Sequence, residues 1–261
     1  MPAEDFILEL FCRIDDALQA VEKDKRANLY PSELVTLAIL FAIKGVGKRA
    51  FYRWVSNNWR SFFPQLPERT RLFRLFKTHR DWANRFLADP TILGVTDSYG
   101  IEFIHPIREG RSPSQIGKKG VSNHRWIVGG KLCLLLNQFG LIVGWACATA
   151  NVHDAIFHPL VEKVQEEMIV RADNNFHAKE GDPPNLKLCE RGEWNVRMLV
   201  ETVLSMLTNV SHFKKMAHRV WEYFQAHLAF AMAAFNLLVQ WNGLEPDENG
   251  FVHLSIAEFS L

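Results

Sequence analysis

Long hydrophobic runs are missing from this sequence. The two longest apolar stretches are 34–43 and 226–239, and His227 and Asn236 interrupt the second. A membrane-spanning helix needs about 18 or more apolar residues in a row, so no span is expected. The first ten residues, MPAEDFILEL, are acidic where a secretory leader would be basic, and a cytoplasmic location is expected. Cysteine is scarce. Cys12, Cys133, Cys147 and Cys189 lie far apart with no CxxC pair, which argues against a disulfide framework and against structural zinc. A strong net charge is missing too, since 30 Lys and Arg face 29 Asp and Glu.

The distribution of charge is less even than its sum. Residues 44–80 hold ten basic side chains, among them Lys48, Arg49 and Arg53, against the single acid Glu68. Segregation of this kind suggests a polyanion held on one part of the surface. Four aromatics in the segment, Phe51, Tyr52, Trp54 and Trp59, could stack on bases or pack inward, and the sequence leaves both open. Gly45-Val46-Gly47-Lys48-Arg49 is no phosphate loop: it lacks the first glycine and a Ser or Thr after the lysine.

Hydrophobic periodicity divides the chain at Asp89-Pro90. Before it, Ile7, Leu10, Ile14, Leu18 and Val21 mark one amphipathic helix, and a second runs from Pro31 to a stop at Gly45. Two further stripes span 51–63 and 72–86. After it, 91–103 is β-branched and aromatic, while 127–137 and 141–150 read as a hairpin around Gln138-Phe139-Gly140. A helix over 155–167, a short strand at 168–170, another at 186–189, and helices over 194–209 and 218–241 follow. The pattern predicts an α/β fold, a mixed sheet flanked by helices with an N-terminal helical region. The expected divisions are 1–89, a helical region; 90–241, an α/β domain; and 242–261, a C-terminal tail.

Three acids stand out. Asp97 breaks the apolar run Ile92–Thr96, and a charge in a central strand is costly unless paired or bound to a metal. Asp173 ends a short strand just before Asn174-Asn175, a tight-turn signal. Glu201 is the only acid between Trp194 and Trp221, on the stripe opposite Val196, Leu199, Val200, Val203 and Leu207. An ion pair with Arg197 and a place facing the strand ends are both compatible with its position. Two strand-end carboxylates and a third on a later helix can converge on one point. Oxygen ligands of this type suit a pair of hard divalent cations, as in-line phosphoryl displacement requires. Asp154, after His153, is expected to cap a helix.

Three of these elements resemble the DDE transposases of bacterial insertion sequences: Val95-Thr96-Asp97-Ser98, Ala172-Asp173-Asn174-Asn175-Phe176, and the helix with Arg197 and Glu201. The family's Tyr-x2-Arg-x3-Glu-x6-Lys pattern is met here as Trp194, Arg197, Glu201 and Thr208, and Lys215 lies two helical turns past Thr208. Asp173 and Glu201 stand only 28 residues apart, with no room for the β-rich insertion of some relatives. The resemblance covers about residues 91–240 and implies a ribonuclease H-like catalytic domain. It further implies metal-dependent DNA cleavage and strand transfer with two Mg²⁺ (or Mn²⁺) ions. Asp97 would bridge both ions, with Asp173 and Glu201 each completing one. The implied partners are double-stranded DNA, at the element's ends and at the target, and a second copy of the chain in a homodimer. Candidate DNA contacts are Trp194, Arg197, Lys214, Lys215, Arg219, Lys118, Lys119, Lys48, Arg49 and Arg53, with Arg125 and Lys131 beside them. A nuclease of the same fold that cuts without joining, and a DNA-binding derivative without catalysis, stay open as alternatives.

Overall fold

The computed structural model describes residues 1–122, 125–189, 195–210, 218–241 and 243. Its N-terminal part is helical: α1 (Ala3–Leu18), α2 (Pro31–Lys44), α3 (Lys48–Asn58) and α4 (Arg69–Thr78), then a 3-10 segment at Arg80–Phe86. The start of α2 follows from its sequence. Pro31 occupies the first turn, where its missing N–H costs nothing, and the Tyr30 N–H donates to Glu33 Oε2 at 2.7 Å. Gly45 ends the helix at φ 61°, a left-handed backbone that glycine adopts without a Cβ penalty. The stripe expected over 72–86 divides into α4 and the 3-10 segment.

Six strands follow: β1 (Leu93–Ile104), β2 (Lys118–Ser122), β3 (Arg125–Asn137), β4 (Ile142–Thr149), β5 (Ile169–Ala172) and β6 (Leu186–Leu188). They form one mixed sheet in which β3 is antiparallel to β1, and β5 and β6 run parallel to β1. The far edge of β3 is shared, β4 pairing with 130–136 and β2 with 125–129. Hydrophobic periodicity does not predict β2. Only Val121 in Lys118–Ser122 is apolar, so the strand exists because β3 extends far enough to pair with it. The run expected as a helix over 155–167 is a 3-10 turn (Asp154–Phe157) and a single α-turn, α5 (His158–Glu162), then tight i→i−3 turns.

Helices cover both faces of the sheet. On one face α6 (Asn195–Val210) and α7 (Trp221–Trp241) pack against Val95, Ile101, Leu132, Leu134 and Leu136, in a core continuous with α1, α2 and α4. The other face buries Cys133 and Leu135 against Phe157, Leu160 and Val161. The two longest apolar stretches of the sequence are α2 and α7, helices buried on nearly every side. Among the described residues no helix is long and apolar enough to cross a membrane.

Candidate active site

Asp97 sits in the middle of β1, opposite Leu134 of β3, so its side chain shares the face of Val95 and Leu134. It is half-buried, and Oδ1 accepts from the Ser98 N–H at 2.7 Å. The last parallel pair between β1 and β5 is Val95 with Arg171. Asp97 follows Val95 by two residues within β1, and Asp173 follows Arg171 by two, just past the end of β5. Asp173 caps the 3-10 turn Asn174–Phe176, and Asn175 holds both its oxygens. The Asn175 N–H donates to Oδ1 at 3.0 Å and the side-chain amide to Oδ2 at 2.9 Å. The expected tight turn is therefore present, built as an Asx-capped 3-10 turn.

The helix α6 lies on the Asp97 face, with Val200, Val203, Leu204 and Leu207 buried against the sheet. Glu201 follows Val200 and is exposed, at the edge of that buried stripe. Thus Asp97 and Asp173 each follow the last paired residues of β1 and β5, and Glu201 rides on the helix packed against the Asp97 face. Among the described residues no three His, Cys, Asp or Glu side chains are grouped closely enough to hold an ion together.

Directly behind Asp97, on the other face, lies a polar cluster. Asp154 is buried, and its Oδ1 accepts from Ser98 Oγ at 2.7 Å and Lys131 Nζ at 2.8 Å. Lys131 Nζ also donates to the Val152 carbonyl at 2.9 Å. Thr96 Oγ1 lies 3.2 Å from Cys133 Sγ beside them. Burial pushes the Cys133 thiol pKa well up, reinforced by the negative fields of Asp154 and Asp97. The expectation for Asp154 is corrected here. His153 caps the helix instead, accepting from the Ala155 N–H, and Asp154 turns inward to meet a lysine and a serine. Lys131 is bound up in this pair rather than offered to a phosphate. The sequence signal was Lys131 itself, a lone charge in the apolar strand 127–137 that required a buried partner.

The basic segment takes up α3, α4 and their surroundings. Its aromatics face inward: Phe51 is buried, and Tyr52, Trp54 and Trp59 pack on the same core. Lys48 lies with Nζ 3.6 Å from the Tyr223 ring centre, and desolvation lowers its pKa. It is tied to α7, whereas Arg49 and Arg53 are exposed one turn apart on α3. Lys118 and Lys119 are exposed on β2, and Arg219 is exposed just before α7. Arg197 falls in the first turn of α6. Trp194, Lys214, Lys215 and the tail expected over 242–261, apart from Gly243, lie outside the described residues.

The chain matches no protein-family model and no curated protein.

Proposed function

We propose that this chain is a DDE-type transposase, cutting DNA at the ends of an insertion sequence and joining the freed ends to target DNA. The single observation that carries this reading is the β1–β5 register, whose last pair, Val95 with Arg171, lies two residues before Asp97 and Asp173, on a sheet packed against the helix α6 that bears Glu201. Strand order supports it as well. Reading β4-β3-β1-β5-β6 across the sheet, only β3 runs against the others, as a ribonuclease H-like fold requires.

By type the three carboxylates suit hard cations, with histidine and cysteine, which favour softer metals, absent from the trio, although among the described residues they are not grouped around one point. A Mg²⁺ or Mn²⁺ pair would activate the attacking oxygen and stabilise the leaving oxygen of an in-line displacement. The chain's own task is to hold the carboxylates still. The Ser98 N–H fixes one oxygen of Asp97, and Asn175 fixes both oxygens of Asp173. Arg197, one helical turn before Glu201, is assigned to a phosphate of the bound strand. Strand transfer reuses the same geometry, with a 3′-hydroxyl as the attacking group.

Incubation of the protein with DNA flanking its gene and Mg²⁺ or Mn²⁺ tests the reading. Nicking followed by joining is expected from the wild type and neither from Asp97→Asn. Nicking without joining would favour a same-fold nuclease. The exposure of Glu201 favours, as a second reading, a derivative that binds DNA without cutting it. In that case DNA binding persists, no products form, and Asp97→Asn changes nothing.

A further inference from the structure

The ribbon of β2 and the first half of β3 extends past the edge where β4 ends, and its surface is unlike the rest of the sheet. Trp126 is 60% exposed and Val121, its cross-strand partner, is 52% exposed. Large apolar side chains paired in the open need a reason, because a fold normally covers such a pair. Lys119 lies on the same face, with Nζ 5.3 Å from the Trp126 ring centre. Lys118 and Arg125 are exposed on the same two strands. Over residues 105–126 five Lys and Arg face one acid, Glu109. Alternation along the strands turns Lys118 and Arg125 to the other face of the ribbon, and Lys119 pairs with Glu109 at 3.5 Å. An exposed aromatic–aliphatic pair on a locally basic ribbon fits a nucleic acid, with apolar surface for bases and sugars and a positive field for phosphates.

The root of the ribbon is rigid. A Cβ on Gly120 would collide with the Ala150 carbonyl, and one on Gly129 with the Ile101 carbonyl, so backbones touch where the ribbon joins the sheet. Its orientation is set by β3. Side chains alternate along a strand, so Trp126 and Leu134 point to the same face, and Leu134 is opposite Asp97. Eight residues separate them, about 26 Å at the usual rise per residue. That is roughly the length of eight base-pair steps at 3.4 Å each.

We infer that the β2–β3 ribbon is a second DNA contact, gripping the duplex that flanks the reacting bond. Lys119 lies against a phosphate and Trp126 and Val121 against the groove interior, while Lys118 and Arg125, on the opposite face, add to the local positive field. A two-stranded ribbon is of a width that the major groove, about 12 Å across, admits. The inference goes beyond the catalytic reading and rests on it for the choice of DNA as partner and for the reacting bond that the gripped duplex flanks.

The test separates the two. The full-length Asp97→Asn protein, held in chelator so that nothing is cut, is titrated with mixed-sequence duplex DNA over a range of salt. In that background Trp126→Ala should weaken binding about tenfold while leaving the salt slope unchanged, because its contribution is not ionic. Lys119→Ala should lower the log–log salt slope by about 0.9, the change expected when one phosphate fewer is neutralised, and Arg125→Ala, on the opposite face, by less. Trp126→Phe should restore most of the affinity and controls for folding. Equal affinity and slope in all variants would overturn the inference. So would a parent that does not bind duplex DNA, or a Trp126→Ala protein altered only in sedimentation, which would make the patch an interface between copies of this chain. If binding follows the expected pattern while the wild type never cuts DNA, the catalytic proposal fails and the ribbon assignment stands.

Discussion

Lys131 Nζ and Asp154 Oδ1 meet at 2.8 Å inside the protein, their side chains only 13% and 11% exposed. The pair bridges β3 to the turn after β4, and through Ser98 it reaches the residue next to Asp97. Removing one partner of such a pair leaves a buried charge uncompensated, which costs on the order of 3–5 kcal/mol. Asp154→Ala and Lys131→Ala should each lose about that much in denaturant unfolding. Replacing both with apolar residues, Asp154→Leu with Lys131→Met, should cost less than either single change. If the double variant is as unstable as the sum of the singles, the two side chains do not act as a pair.

The carboxylates on the opposite face should behave differently. Asp97→Asn, Asp173→Asn and Glu201→Gln each keep the shape of the side chain. Under the proposed function each should lower DNA cleavage by about a hundredfold or more, since ion-based charge stabilisation is worth several kcal/mol. The thermal midpoint should change little for Glu201→Gln, whose side chain is exposed. A gel assay of nicked product beside a melting curve separates impaired chemistry from impaired folding.

Asn236 ties three elements together from within α7. Its side-chain amide donates to the Phe86 and Ile142 carbonyls at 2.9 and 2.8 Å, and its Oδ1 accepts from the Ile142 N–H at 2.8 Å. The residue is fully buried. Asn236→Leu would remove the side-chain partners of the Ile142 N–H and the Phe86 carbonyl, at roughly 1–3 kcal/mol for each, while the Ile142 carbonyl keeps the Ala88 N–H at 2.9 Å. A loss of about 3 kcal/mol is expected by urea titration. Stability equal to wild type would mean that the amide contributes only volume.

Two histidines predict an acid-sensitive fold. Burial pushes His227 down to about 3, with the positive fields of His218 and Lys48 acting in the same direction. Burial and Lys48 push His218 down to about 4. Both values lie below the unfolded value of roughly 6.5, so the unfolded chain binds these protons first. Their contribution is fully present above about pH 6.5 and is lost as pH falls toward 4 and then 3, by up to about 1.4 kcal/mol per pH unit for each ring. Unfolding curves between pH 7 and 4 should show this slope, and His227→Leu should flatten it. An identical slope in that variant would place the acid sensitivity elsewhere.

Much of this architecture is legible in the sequence because its causes are local. Pro31 and Gly45 bracket α2 through backbone geometry alone, and the Gln138-Phe139-Gly140 turn joins β3 to β4 as its residues predict. Asp97 and Asp173 betray themselves as charges ending or breaking apolar strands, a cost that is visible without any partner. The strand β2 and the inward turn of Asp154 are not legible, because each depends on a surface supplied from elsewhere in the chain. The same holds for the aromatics of 51–59. Their composition allows bases or core, and only packing against α2 and α4 decides for the core.

Periodicity and the isolated charges by themselves determined an α/β chain with helices first and a hairpin-led sheet after, and singled out three acids. Tertiary structure alone decided how the strands that lead to Asp97 and Asp173 are paired, because the register between two parallel strands is set by their shared cores and not by either strand's own residues. It also decided which cations are used up internally, as Lys131 and Lys48 are, and which remain on the surface. A charge shows in sequence, but the company it keeps is fixed only when distant segments compete for the same buried space.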